Sequence, residues 1–190
     1  MTTNFRYLIL SLWLASFSTV FGIESPEPNY RKKHIEKPFI VHVQSWGVEK
    51  AMSVVYFQIM IYSDKGLLAM KSEGPVDGVI NSFTGDLDDD GNIETYVITQ
   101  SAGSGGYGRI YAFEINKNQL ERIDFVELPS EYRSGYLGHD YFNIENNRLI
   151  REFPIYKESD PNALPSGVTR RIIYKLIDDS FVVEEVENVL

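Results

Sequence analysis

The chain has 190 residues, no cysteine, 18 Lys plus Arg against 27 Asp plus Glu, and an aromatic content of 13% carried almost wholly by Tyr and Phe. That length suits one compact core burying roughly 70% of the surface its unfolded chain exposes, and the net charge of -9 disfavours nucleic-acid backbones and anionic membrane surfaces, which would repel it. The absence of cysteine excludes disulfides, thiolate zinc sites, iron-sulfur clusters, thiol nucleophiles and a lipid-modified cysteine.

Residues 1–22 differ in kind from the rest. Arg6 precedes an apolar run from Tyr7 to Phe21, and Val20-Phe21-Gly22 places short residues where a signal peptidase cuts. The run is shorter than the ~20 residues a spanning helix needs, and polar Glu24-Ser25-Pro26-Glu27-Pro28 follows at once. This predicts a secretory signal peptide and a periplasmic or secreted protein, with a retained amino-terminal anchor as the alternative. Its removal takes away Arg6 and no acid, leaving 17 basic and 27 acidic residues, a net of -10. Residues 23–38, with Pro26, Pro28 and Pro38, read as an extended lead-in, and 39–190 as a single β domain.

Runs rich in Val, Ile, Tyr and Phe then recur at 39–45, 52–62, 67–71, 93–100, 107–115, 119–127, 148–156, 168–177 and 180–186. Ser63-Asp64-Lys65-Gly66, Asn116-Lys117-Asn118, Glu145-Asn146-Asn147 and Asp178-Asp179-Ser180 separate such runs with residues that tolerate left-handed turns. No run of comparable length has helical spacing. The expectation is an all-β fold, an antiparallel sandwich-like meander of about eight strands.

Two turns carry the candidate chemistry. In Gly85-Asp86-Leu87-Asp88-Asp89-Asp90-Gly91-Asn92-Ile93-Glu94, acids at alternate positions and a mid-loop Gly can converge on one hard cation. An EF-hand is excluded, because Val97 occupies the place of its bidentate Glu and a strand-like run follows. Two readings stay open: a hairpin-type calcium loop using Asp86, Asp88, Asp90, the carbonyl of Asn92 and Glu94, and an acidic turn held by its own side-chain bonds without metal. The expectation is that no cofactor is required, with Ca2+ at this turn as the open candidate.

The second turn is Ser101-Ala102-Gly103-Ser104-Gly105-Gly106-Tyr107-Gly108. Gly103, Gly105 and Gly108 satisfy a dinucleotide-binding spacing, but Ile110-Tyr111-Ala112-Phe113 continues as a strand, where a pyrophosphate site needs a helix amino terminus. No kinase element follows, and a nucleophile elbow at Ser104 would also need a helix and a downstream base. What remains is a hairpin tip that lets a partner approach closely and offers the hydroxyls of Ser104 and Tyr107. The competing reading is a flexible hairpin whose Tyr107 folds back on the sheet.

At these residues the chain resembles the periplasmic inhibitors of invertebrate-type (i-type) lysozyme. The matching features are the acidic turn, then Thr99-Gln100 leading into the 101–108 tip, and later Arg151-Glu152-Phe153-Pro154-Ile155-Tyr156-Lys157 and Thr169-Arg170-Arg171-Ile172-Ile173-Tyr174-Lys175-Leu176. The resemblance implies a non-catalytic inhibitor with a sandwich-like domain that projects this loop into the lysozyme's active-site cleft. Ser104 and Tyr107 would be the contacts, with Ser101, Gly103, Gly105, Gly106 and Gly108 shaping the loop. I-type lysozyme is then the expected partner, and a homodimer stays open. The alternative function is a calcium-dependent exported adhesion or carbohydrate-binding module built on the acidic turn. Catalysis is disfavoured, because His34, His42 and His139 lie in no recognisable catalytic constellation.

Overall fold

The computed structural model describes residues 27–47, 54–125, 127–161 and 164–189; the signal-peptide reading of residues 1–22 lies outside them. Twelve strands among these residues form three four-stranded sheets. The first holds β1 (Tyr30–Glu36), β2 (Phe39–Gly47), β3 (Val55–Ser63) and β4 (Gly66–Val76), and the second β5 (Gly78–Gly85), β6 (Glu94–Gln100), β7 (Gly108–Asn116) and β8 (Gln119–Ile123). The third holds β9 (Tyr141–Glu145), β10 (Arg148–Pro154), β11 (Thr169–Ile177) and β12 (Ser180–Val189). Neighbouring strands are antiparallel throughout, and each sheet is a simple meander.

The four hairpins expected from turn residues form as β3–β4, β7–β8, β9–β10 and β11–β12. Three of them use paired left-handed residues, Lys117 and Asn118, Asn146 and Asn147, Asp178 and Asp179, the backbone that matches strand twist in a two-residue turn.

The second sheet is the middle layer. Val97, Phe113 and Ile115 on one face pack against Val41, Phe57, Ile59 and Ile61 of the first sheet. Tyr96, Ile98, Ile110 and Ala112 on the other face pack against Leu149, Phe153, Ile172 and Phe181 of the third. β6 is therefore buried on both faces, from Glu94 through Thr99. Edge-to-face rings knit both interfaces, Phe57 with Phe113 at 6.3 Å and Tyr96 with Phe181 at 6.0 Å. Each fully buried large apolar side chain contributes about 1.5–3 kcal/mol, which is how a domain without disulfides is held.

The strand count is twelve where about eight were expected, and the excess has physical causes. β1 falls in the segment read as a lead-in, because its inward side chains are polar. Lys32 Nζ donates to Asn81 Oδ1 at 2.9 Å and to the Ser82 carbonyl at 2.8 Å, while Tyr30 and His34 each bond Ser82 Oγ at 2.8 Å. These bonds tie the edge of the first sheet to β5. Burial, and then the charge of Lys32, push the His34 imidazole down to about 4, so it stays neutral at pH 7. β5 is broken up by Asn81, Ser82 and Thr84, and β9 has only 5 residues, so neither shows a sustained apolar alternation.

Candidate functional site

The 101–107 loop leaves β6 after Gln100 and enters β7 at Gly108, a pair directly opposite in the ladder. Its base is closed by two bonds: Ser101 N–H donates to the Tyr107 carbonyl at 3.0 Å, and Tyr107 N–H to Ser101 Oγ at 2.9 Å. Gly106 N–H donates to the Gly103 carbonyl at 3.0 Å, with Gly106 at a positive φ of 49°, and Gln100 Nε2 caps the Gly106 carbonyl at 3.1 Å. The tip, Ala102 to Ser104, is exposed. Tyr107 rests edge-on against Tyr136 at 5.6 Å yet leaves 44% of its surface to solvent. The ring is thus seated and presented at once.

A second segment clamps this loop from outside. His139 N–H donates to the Gly105 carbonyl at 2.6 Å, and Gly108 N–H donates to Asp140 Oδ2 at 2.8 Å. Tyr136 O–H donates to the same Asp140 oxygen at 2.6 Å, Arg151 Nε donates to Asp140 Oδ1 at 2.7 Å, and Arg151 Nη2 donates to the Tyr136 oxygen at 2.9 Å. The Asp140 and Arg151 side chains are 0% and 6% exposed. Arg151 reaches them from β10, its guanidinium 5.2–5.6 Å from the ring centres of Tyr136, Phe142 and Phe153. The four side-chain bonds of this network are each made to the Asp140 carboxylate or from the Arg151 guanidinium, which is what lets a buried ion pair persist. Burial first, and then the Asp140 carboxylate, raise the Tyr136 phenol above its ordinary value, keeping it a donor.

Close backbone approach explains one glycine in this clamp. At Gly138 (φ +94°) a Cβ would sit 2.0 Å from the Gly105 carbonyl oxygen, so any side chain would push the clamp off the loop. Beside Tyr107 lies an open cleft of about 540 Å³, rimmed by Arg109, Tyr111, Arg122, Glu127 and Arg133.

The acidic turn lies at the other end of β6. Asp86, Asp88, Asp90 and Glu94 each bring a carboxylate oxygen within 4.8 Å of the others. Asn92 commits its side-chain amide to Asp90 at 2.7 Å and to Glu114 at 3.1 Å. Burial pushes the Glu94 carboxyl up to about 8; the bonds from Leu87 N–H and Tyr96 O–H oppose that rise, and Asp88 and Asp86 add to it.

The histidines stand apart. His34 faces Ser82, His42 packs on Tyr62 at 5.4 Å, and His139 stacks on Tyr156 at 6.2 Å. No two of them share one of these partners.

The clamp residues Tyr136, Gly138 and Asp140 are absent from the sequence-based candidates. Two signals for them existed: a Gly-rich turn around His139-Asp140, and Arg151 on the same strand face as apolar Leu149 and Phe153.

Residues 32–133 match the family described as periplasmic lysozyme inhibitor of I-type lysozyme. The later blocks, Arg151 to Lys157 and Thr169 to Leu176, lie outside that match. Among solved structures, the chain is similar to the periplasmic inhibitor of I-type lysozyme PliI-Ah from Aeromonas hydrophyla, at 23% identity over 50% of this chain and 87% of that one, with a TM-score of 0.43. No curated protein matches the chain.

Proposed function

The chain belongs to the family of periplasmic inhibitors of I-type lysozyme, proteins that block an enzyme rather than catalyse a reaction, and we propose that it acts by inserting the Ser101–Gly108 loop into the lysozyme's active-site cleft. The observation that carries this reading is the clamped tip: a hydrogen-bonded glycine-rich hairpin that holds Tyr107 on Tyr136 while leaving it 44% exposed.

A glycosidase cleft presents two carboxyl groups, one protonated and one ionised. The Ser104 hydroxyl can donate to or accept from either, and the Tyr107 ring can lie where a sugar would stack while its phenol reaches a carboxylate. A loop fixed before binding avoids the ordering cost of about 0.5–1.5 kcal/mol per immobilised side chain. The clamp supplies that fixation, with Asp140 and Arg151 as positioning residues rather than contacts. The net charge of -9 would speed encounter with a basic lysozyme, chiefly at low salt. Export through the signal peptide read at residues 1–22 would bring the protein to the periplasm. No helix among the described residues is long and apolar enough to cross a membrane.

The test is a cell-wall lysis assay with invertebrate-, chicken- and goose-type lysozymes. The wild type should inhibit the invertebrate type, and Ser104→Ala and Tyr107→Ala should each weaken it. Full inhibition by both variants would remove the loop from the mechanism.

A further inference from the structure

We propose that the β5–β6 turn is a calcium site formed by Asp86, Asp88, Asp90 and Glu94, independent of the lysozyme-facing loop. The turn's own hydrogen bonds engage both oxygens of Asp86 and of Asp90 but only one of Glu94. Asp86 accepts from the N–H groups of Asp90 and Gly91 at 3.1 and 3.0 Å, and Asp90 accepts from the Asn92 backbone and side chain, both at 2.7 Å. Such bonds explain acids in a turn without any ion.

They do not explain Asp88 and Glu94. Oδ1 of Asp88 and Oε1 of Glu94 are buried, and among the described residues no donor reaches either. The Glu94 side chain is 0% exposed, and its orientation is fixed through its other oxygen, which accepts from Leu87 N–H at 2.8 Å and Tyr96 O–H at 2.9 Å. A carboxylate held so firmly, with its second oxygen withdrawn from solvent and left without a donor beside three other acids, is unfavourable until a proton or a cation completes it. The strand register adds to the charge: Glu114 lies directly opposite Glu94 across β6 and β7, and like charges in that relation destabilise a sheet.

The donor set selects the ion. All four groups are carboxylates that converge within 4.8 Å, with no nitrogen or sulfur ligand to favour zinc. Calcium takes six to eight oxygens in flexible geometry, whereas magnesium dehydrates reluctantly and binds through one or two carboxylates. The bound ion would brace the start of β6 against Leu87, which is buried in the core shared with the third sheet. It would also steady the adjoining Asp89, which accepts from Asn147 Nδ2 in the β9–β10 turn at 3.0 Å. Its effect would fall on stability, since the inhibitory loop lies at the far end of the strand.

The experiment uses chelator-stripped protein, titrated with calcium chloride and separately with magnesium chloride. It is followed by calorimetry, by thermal unfolding, and by terbium luminescence sensitised through Tyr96. Calcium at a hundredfold excess over its dissociation constant should raise the unfolding midpoint by roughly 5–10 °C. Magnesium at the same concentration should give a small part of that rise, and calcium should displace terbium. Asp88→Asn should abolish the rise while unfolding, without calcium, at or above the midpoint of the stripped wild type, because one like charge is gone; Asp90→Asn is the companion variant if that protein does not fold. Absence of binding heat, together with identical midpoints in calcium and in chelator, would overturn the proposal, as would a full calcium response in both variants.

Discussion

The two-sheet sandwich and the third sheet contribute unequally to the loop. Residues 32–133 supply the loop itself, its closing bonds and Tyr107. The segment after them supplies what fixes it: His139 on the Gly105 carbonyl, Asp140 on the Gly108 N–H, and Arg151 from β10 behind Asp140. The sandwich is held by apolar layers, whereas the junction with the third sheet carries a buried ion pair beneath the loop. Apolar packing tolerates small shifts; a charge-assisted network with defined bond directions does not, and it therefore suits a site that must hold one geometry. In this chain the family-matched part presents the proposed binding tip and the remainder positions it.

Each prediction breaks that division at a different point. The largest effect belongs to Asp140→Ala, which leaves Arg151 buried without its partner at a cost of about 3–5 kcal/mol. The unfolding midpoint should fall by about 10 °C, and inhibition should weaken with it. Adding Arg151→Met removes the stranded charge and should restore much of the midpoint. The Gly108 N–H still lacks its acceptor, so inhibition should remain impaired. Recovery of both together would mean that the clamp serves stability alone.

Tyr107→Ala comes next, with a loss of about 2–4 kcal/mol in binding, roughly a hundredfold in inhibition. Its midpoint should stay near wild type, because the ring is half-exposed. Gly138→Ala is smaller: forcing a Cβ against the Gly105 carbonyl at a positive φ costs about 1–3 kcal/mol, and inhibition should weaken about tenfold, read in the same lysis assay.

The smallest effect on inhibition lies far from the loop, at His34. Its imidazole titrates near 4 when folded against about 6.5 when unfolded. The unfolded chain therefore binds the extra proton, and stability that is full above pH 6.5 is lost as pH falls towards 4. His34→Gln should flatten that limb of a pH series of urea unfolding curves and leave inhibition unchanged.

Much of the sandwich was legible because its signals are local. The Asn and Asp pairs of the hairpin turns required left-handed backbone and adopted it, as at Asn146-Asn147 and Asp178-Asp179. The 101–108 tip was legible for the same reason, since four glycines in one turn announce close approach. β1 was not, because Tyr30, Lys32 and His34 face β5 through hydrogen bonds rather than apolar contact. The clamp was not, because Asp140 lies 32 residues from Gly108 and meets it only through tertiary packing. The double burial of β6 was equally hidden: Glu94, Thr95 and Thr99 are polar residues in a central strand, and their burial follows from the stacking of three layers.

A loop that occupies the lysozyme's substrate cleft must compete with substrate for it. Binding of the protein to i-type lysozyme should be measured against increasing concentrations of a soluble oligosaccharide of the cell-wall sugar. Cleft insertion predicts that the apparent dissociation constant rises linearly with free oligosaccharide concentration, and that Tyr107→Ala weakens binding in its absence. Affinity unchanged at saturating oligosaccharide would contradict it.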